Sequence, residues 1–152
     1  MFKLKKLASL FLTIVLSSTF VVAQTQTPQE TDVSDDELKT FASAFKQVQA
    51  IDQKAQQDMV KAVQDEGLSV QRYNELLQNE ENPEQNANPT EEEKQQFKKI
   101  NISIEGIQMK AQESMHKKIQ DEGLSIKRYQ EIAFAVQNSP ELQERLQQYM
   151  QL

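Results

Sequence analysis

Two stretches of this chain are versions of each other, and that repetition constrains the fold more than any other feature. Asp65-Glu66-Gly67-Leu68-Ser69 recurs as Asp121-Glu122-Gly123-Leu124-Ser125, a shift of 56 residues. Arg72-Tyr73 recurs as Arg128-Tyr129, Lys54-Ala55-Gln56 as Lys110-Ala111-Gln112, and Met59 as Met115. With Ser34–Gln78 laid against Thr90–Phe134, 17 of 45 positions are identical, and Val48/Ile104, Val63/Ile119 and Val70/Ile126 are conservative swaps. Whatever one half folds into, the other folds into as well, so a single solution has to serve twice.

Each half reads as a long helix, a tight corner and a short helix. In the first, Leu38, Phe41, Phe45, Val48, Ile51, Ala55, Met59 and Val63 are spaced by three or four, one apolar stripe. In the second the stripe is Phe97, Ile100, Ile104, Ile107, Ala111, Met115 and Ile119. Ser34 with Glu37, and Thr90 with Glu93, have the capping-box spacing. Gly67 and Gly123 stop the long helices, and Ser69 and Ser125 start short ones, over about 70–79 and 126–137. Ser139-Pro140-Glu141 then opens a further helix, with Leu142, Leu146, Tyr149 and Met150 on one side. The expected fold class is all-α: duplicated long-helix/short-helix hairpins packed as an antiparallel helical bundle, with an extra C-terminal helix. Three Gly and four Pro are too few for the turns of an all-β domain. Gly106, aligned with Ala50, suggests close helix backbones at that level.

The segmentation follows: residues 1–23 a signal peptide, 24–32 a linker, and 33–152 one helical domain. Within that domain, repeat one is 34–79, a loop 80–89, repeat two 90–137 and the C-terminal helix 139–151. Lys3, Lys5 and Lys6 precede an apolar run from Leu7 that ends in Val21-Val22-Ala23, the pattern of an export signal. Losing those three lysines takes the net charge from −6 to −9, since no acidic residue leaves with them. A domain that acidic repels nucleic acid and anionic lipid. The expected location is the bacterial periplasm or extracellular space, with no nucleic-acid partner and no stable membrane insertion after cleavage.

The same residues resemble a known family. The opening Ser34-Asp35-Asp36-Glu37-Leu38 with Phe41 and Ala42, the Glu-Gly-Leu-Ser corner, Arg-Tyr followed by Glu131-Ile132, and the ending Pro140-Glu141-Leu142 together resemble the domain-of-unknown-function family 4168. This is a family of exported proteins from Bacteroidetes-type bacteria and cyanobacteria. The resemblance covers about Val33 to Leu146, and Gly-Leu-Ser-x-x-Arg-Tyr is its most specific part. It implies an all-helical exported domain and brings no activity or catalytic residues. Pro83-Glu84-Gln85 is a degraded trace of the Pro-Glu-Leu ending in the first half.

Few residues offer chemistry. With no Cys and one His, thiol catalysis, disulfides and a multi-His metal site are excluded. His116 stands beside Lys117 and Lys118 with no nucleophile motif, so no enzyme activity, catalytic residue, cofactor or metal is expected. The acidic pairs Asp65-Glu66 and Asp121-Glu122 read as solvated helix ends. Arg72 and Arg128 are candidate anion contacts at the corners, although a brace to an acidic residue of the preceding turn explains them more simply. Met59, Met109, Met115 and Met150 fit core filling better than a groove for client peptides. Asn101-Ile102-Ser103 matches a glycosylation acceptor but falls mid-helix. Ile102 and Met109 are apolar where the first half has Lys46 and Gln53. The C-terminal helix is expected to cover them, and failing that they are a candidate partner surface. The functional expectation is a non-enzymatic binding or scaffold protein of the cell envelope, its partner an unknown protein or envelope component. The alternative is a periplasmic chaperone holding client chains on amphipathic helices.

The export reading makes one direct prediction. Mass spectrometry of the exported protein should find Gln24, or its cyclised form, at the N-terminus. Intact Met1 on membrane-bound protein would overturn it.

Overall fold

A computed structural model describes residues 32–82 and 87–151. The expected signal peptide, residues 24–31 of the expected linker and Pro83-Glu84-Gln85 lie outside the described residues. The order is α1 (Asp35–Asp65), α2 (Val70–Glu81), α3 (Glu91–Asp121), α4 (Ile126–Asn138) and α5 (Pro140–Gln151). The described residues are all-helical, and the helices pack on one another. Two short helices run slightly longer than their periodicity suggests: α2 reaches Glu81 and α4 reaches Asn138. Val33, the first residue of the expected domain, is buried in the core, and the carbonyl of Asp32 just before it accepts a hydrogen bond from Arg128.

Both long helices start with a complete capping box. The Ser34 hydroxyl accepts from the Glu37 amide and the Glu37 carboxylate accepts from the Ser34 amide; Thr90 and Glu93 do the same. Both end in a Schellman turn. Gly67 N–H donates to the Gln64 carbonyl at 3.0 Å and Leu68 N–H to Val63 at 3.3 Å. Gly123 donates to Gln120 at 2.9 Å and Leu124 to Ile119 at 3.2 Å. Gly67 and Gly123 hold φ of 89° and 93°, which is why the corner needs glycine. The Leu after each glycine is buried and ties the turn to the core.

The long helices run antiparallel. Gln47 bonds Glu122, Gln108 Nε2 lies 4.0 Å from the Met59 sulfur, and Lys99 reaches Glu66 at 3.5 Å, so partners descend α3 as they climb α1. Ala55 and Ala111 fall at the midpoint of this register. The expected close approach at Ala50 and Gly106 is not there: Ala50 is exposed, and a Cβ at Gly106 would meet nothing within 4 Å.

The core divides in two, one cluster at each end of the α1–α3 pair. One holds Val33, Leu38, Phe41, Ala44, Ile119, Leu124 and Ile132, with Leu142, Leu146 and Tyr149 of α5 packed against it. The other holds Val63, Leu68, Tyr73, Leu76 and Ile100. Each corner tyrosine packs on the phenylalanine near the start of the other long helix: Phe41–Tyr129 at 4.8 Å and Tyr73–Phe97 at 5.3 Å.

The C-terminal helix does not cover Ile102 and Met109, contrary to expectation. It lies on α1 and α4. Ser139 alone separates α4 from α5, so α5 must start where α4 ends, beside the first core cluster. Polar contacts then fix it. Asp35 Oδ1 accepts from Arg145 at 2.6 Å and from the Tyr149 hydroxyl at 2.9 Å, and the Lys39 ammonium sits 5.6 Å from the centre of the Tyr149 ring.

The corners predict the response to substitution. Nothing crowds a Cβ at Gly123, so Gly123→Ala tests backbone conformation alone and should cost about 1–2 kcal/mol. Gly123→Asn should cost less, because Asn tolerates the left-handed region. Thermal melts in which alanine is as stable as glycine would refute the assignment.

Candidate functional site

Two features could mediate an interaction: the charged corners, and the outward face of α3.

At the corners the chain uses its own charges. Arg72, in the first turn of α2, donates through Nε to Glu93 Oε1 at 2.6 Å and through Nη2 to Glu93 Oε2 at 3.0 Å. It also reaches the Ala87 carbonyl at 3.0 Å and Glu75 at 3.0 Å. Arg128 repeats the arrangement from α4, donating to Glu37 at 2.7 Å, the Asp32 carbonyl at 2.9 Å and Glu131 at 3.4 Å. These are braces rather than open anion contacts. Their partners differ from the expected ones: each arginine reaches the capping glutamate of the other long helix, not an acidic residue of the preceding turn. Glu66 and Glu122 also leave the solvated role expected of them, reaching Lys99 and Gln47 across the helix pair.

The electrostatics follow from this geometry. The Arg128 hydrogen bond, then the Ser34 amide, hold the Glu37 carboxyl down from an ordinary 4.5 to about 2. Arg72 and the Thr90 amide lower Glu93 equally, to about 2. Both arginines are raised in return, chiefly by these glutamates. Burial alone pushes Tyr129 up to about 12 and is the main cause of the rise at Tyr73. Capping spacing identified Glu37 and Glu93 in the sequence, but their second task gave no local signal.

Ile102 and Met109 lie on the opposite side of α3 from Ile100, Ile104, Ile107 and Ala111, and are 62% and 57% exposed. Lys98, Glu105 and Glu113 share that face, spaced by three or four from the apolar pair, and all three are exposed. Among the described residues, none of these three charges makes an ion pair. Among the described residues the other large exposed apolar side chains are Val60 on α1 and Phe134 on α4. The four methionines expected as core filler do not all serve that way: Met59 is buried, Met115 and Met150 are half-buried, and Met109 faces outward. His116 is exposed. A shallow depression lined by Gln53, Gln56, Gln57, Val60, Lys61 and Gln64 belongs to α1 alone. Among the described residues no group of three His, Cys, Asp or Glu could hold a metal ion.

An all-helical domain with one arginine-braced corner at each end of a long helix pair is the class these features define. The chain belongs to the family described as a domain of unknown function, DUF4168, whose model matches residues 15–88 and 34–146. Neither the comparison with curated proteins nor that with solved structures found a match.

The depressed glutamates set a pH dependence. Their folded-state values lie below their unfolded ones, so their stabilisation is complete above the unfolded value and lost as pH falls through the folded one. Melting temperature should be level in this respect above about pH 5 and fall between about pH 4.5 and 2. Glu37→Gln with Glu93→Gln should lower the melt near neutrality and flatten that acid limb. Asp35 and Glu75, also lowered by arginine hydrogen bonds, would sustain a smaller slope. An unchanged acid limb in the double variant would remove the braces from the explanation.

Proposed function

We propose that this protein is an exported, non-enzymatic binding or scaffold domain of the bacterial cell envelope, and that it makes contact through the outward face of α3. One observation carries the reading: two large apolar side chains, Ile102 and Met109, are turned to solvent directly opposite the stripe that builds the core. Exposed apolar groups that do not serve the fold mark contact surfaces. The lysine-led apolar segment ending at Ala23 supports export. Among the described residues no helix is long and apolar enough to cross a membrane. The braces support a rigid, non-catalytic role, because the corner arginines are occupied by Glu37 and Glu93 rather than open to a substrate anion.

The test is photo-crosslinking in cells, with a photoreactive residue at Ile102 and, as control, at Ser114. A discrete adduct in the envelope fraction from position 102 and none from 114 is the expected result. A smear of many exported chains would favour the chaperone alternative, and no adduct would sink both. Ile102→Lys with Met109→Lys should abolish the partnership while moving stability by no more than about 0.5 kcal/mol per substitution, the range for surface changes.

A further inference from the structure

We propose that the occupant of this face is a second copy of the same chain, bound with its α3 antiparallel to the first about Gly106. The inference rests on the binding role of α3 and names its partner. Along the exposed face the order is Lys98, Ile102, Glu105, Met109 and Glu113. An antiparallel pairing centred between Glu105 and Gly106 sets Ile102 against Met109 of the second copy and Lys98 against its Glu113. Two-fold symmetry makes each contact twice. A parallel pairing would oppose like with like, Lys98 to Lys98 and Glu113 to Glu113, so charge selects the antiparallel form.

Gly106 fits the crossing point. A glycine inside a helix weakens it, and nothing in the fold asks for one there: a Cβ would meet no atom within 4 Å. Between two copies, its bare backbone would let the helices approach. Lys98 and Glu113, which make no ion pair among the described residues, would gain them. One contact is unfavourable. The two copies of Glu105 lie on the same face of the helix pair, across the two-fold axis from each other and close to it. The contact would run from about Gln95 to His116, roughly 33 Å of helix. That is at the small end for a specific interface, so the dimer is weak and concentration-dependent.

Sedimentation of the protein purified as exported, at low salt and across a wide concentration range, tests this. Melts of each variant confirm that it is folded. The parent should dimerise. Lys98→Glu and Glu113→Lys should each weaken dimerisation about tenfold or more, and the two together should restore it to near the parent. Ile102→Lys should abolish it, and Glu105→Gln should tighten it by relieving the central repulsion. A parent that stays monomeric throughout, a dimer indifferent to Lys98→Glu and Ile102→Lys, or failure of the double reversal to restore binding would each overturn the proposal. The crosslink at position 102 separates this failure from that of the binding role. An adduct with a different envelope protein defeats the second copy and leaves the surface standing, whereas absence of any adduct defeats both.

Discussion

Glu37 and Glu93 each hold two parts of the chain at once, and the architecture depends on that sharing. Each closes the capping box that starts its own long helix and accepts the arginine of the corner that follows the other one. The end of α1 must therefore meet the start of α3, and the end of α3 the start of α1. Only an antiparallel pair satisfies both. The same arginines hold the Ala87 and Asp32 carbonyls, which fixes how the chain enters each long helix. Half-exposed ion pairs stabilise modestly compared with burial of Phe41, Leu38, Ile100 and Ile132, the most fully buried large side chains. The braces set register, and apolar burial supplies most of the stability.

Fixing the ends leaves the middle thin. The apolar clusters form where a corner tyrosine, a buried leucine and the opposite helix start come together, and they do not merge. Between them α1 and α3 have mainly each other, with Ile51 and Ile107 half-buried. The clusters are unequal because α5 adds to one of them. Seven residues of α1 are buried, against Ile100 and Ile119 alone in α3. A helix covered along one side only must show its back to solvent.

Much of this was legible because it is local or periodic. The stripes, the capping boxes and the two stop glycines follow from spacing and backbone sterics, and the structure places them where those rules put them. The misplaced element was α5. Apolar residues at 102 and 109 look in sequence like a demand for cover, and the amphipathic helix at the C-terminus looks able to meet it. What holds α5 elsewhere is the one-residue joint at Ser139 and the meeting of Arg145 and Tyr149 with Asp35, more than a hundred residues away. Exposed polar pairs at that separation have no period and leave no trace in sequence. The arginine braces escaped for a related reason: a glutamate at the third helical position was already explained by capping.

The repetition that organises the fold also supplies a control within the molecule. Lys46 and Gln53 stand in α1 where Ile102 and Met109 stand in α3, and they too are exposed. The helix pair thus tolerates polar residues at these positions, and the fold has no use for apolar ones. An exposed isoleucine or methionine gains nothing from burial and adds a liability to aggregate. Two of them on one face of one long helix, with polar counterparts on the other, are what the proposed contact through α3 would use. The charges around them fit that view: Lys54 and Lys61 of α1 pair with acids four residues on, while among the described residues Lys98, Glu105 and Glu113 of α3 form no ion pair. Alike in length and capping, the two helices part on this outward face, where α1 carries Lys46 and Gln53 and α3 carries Ile102 and Met109.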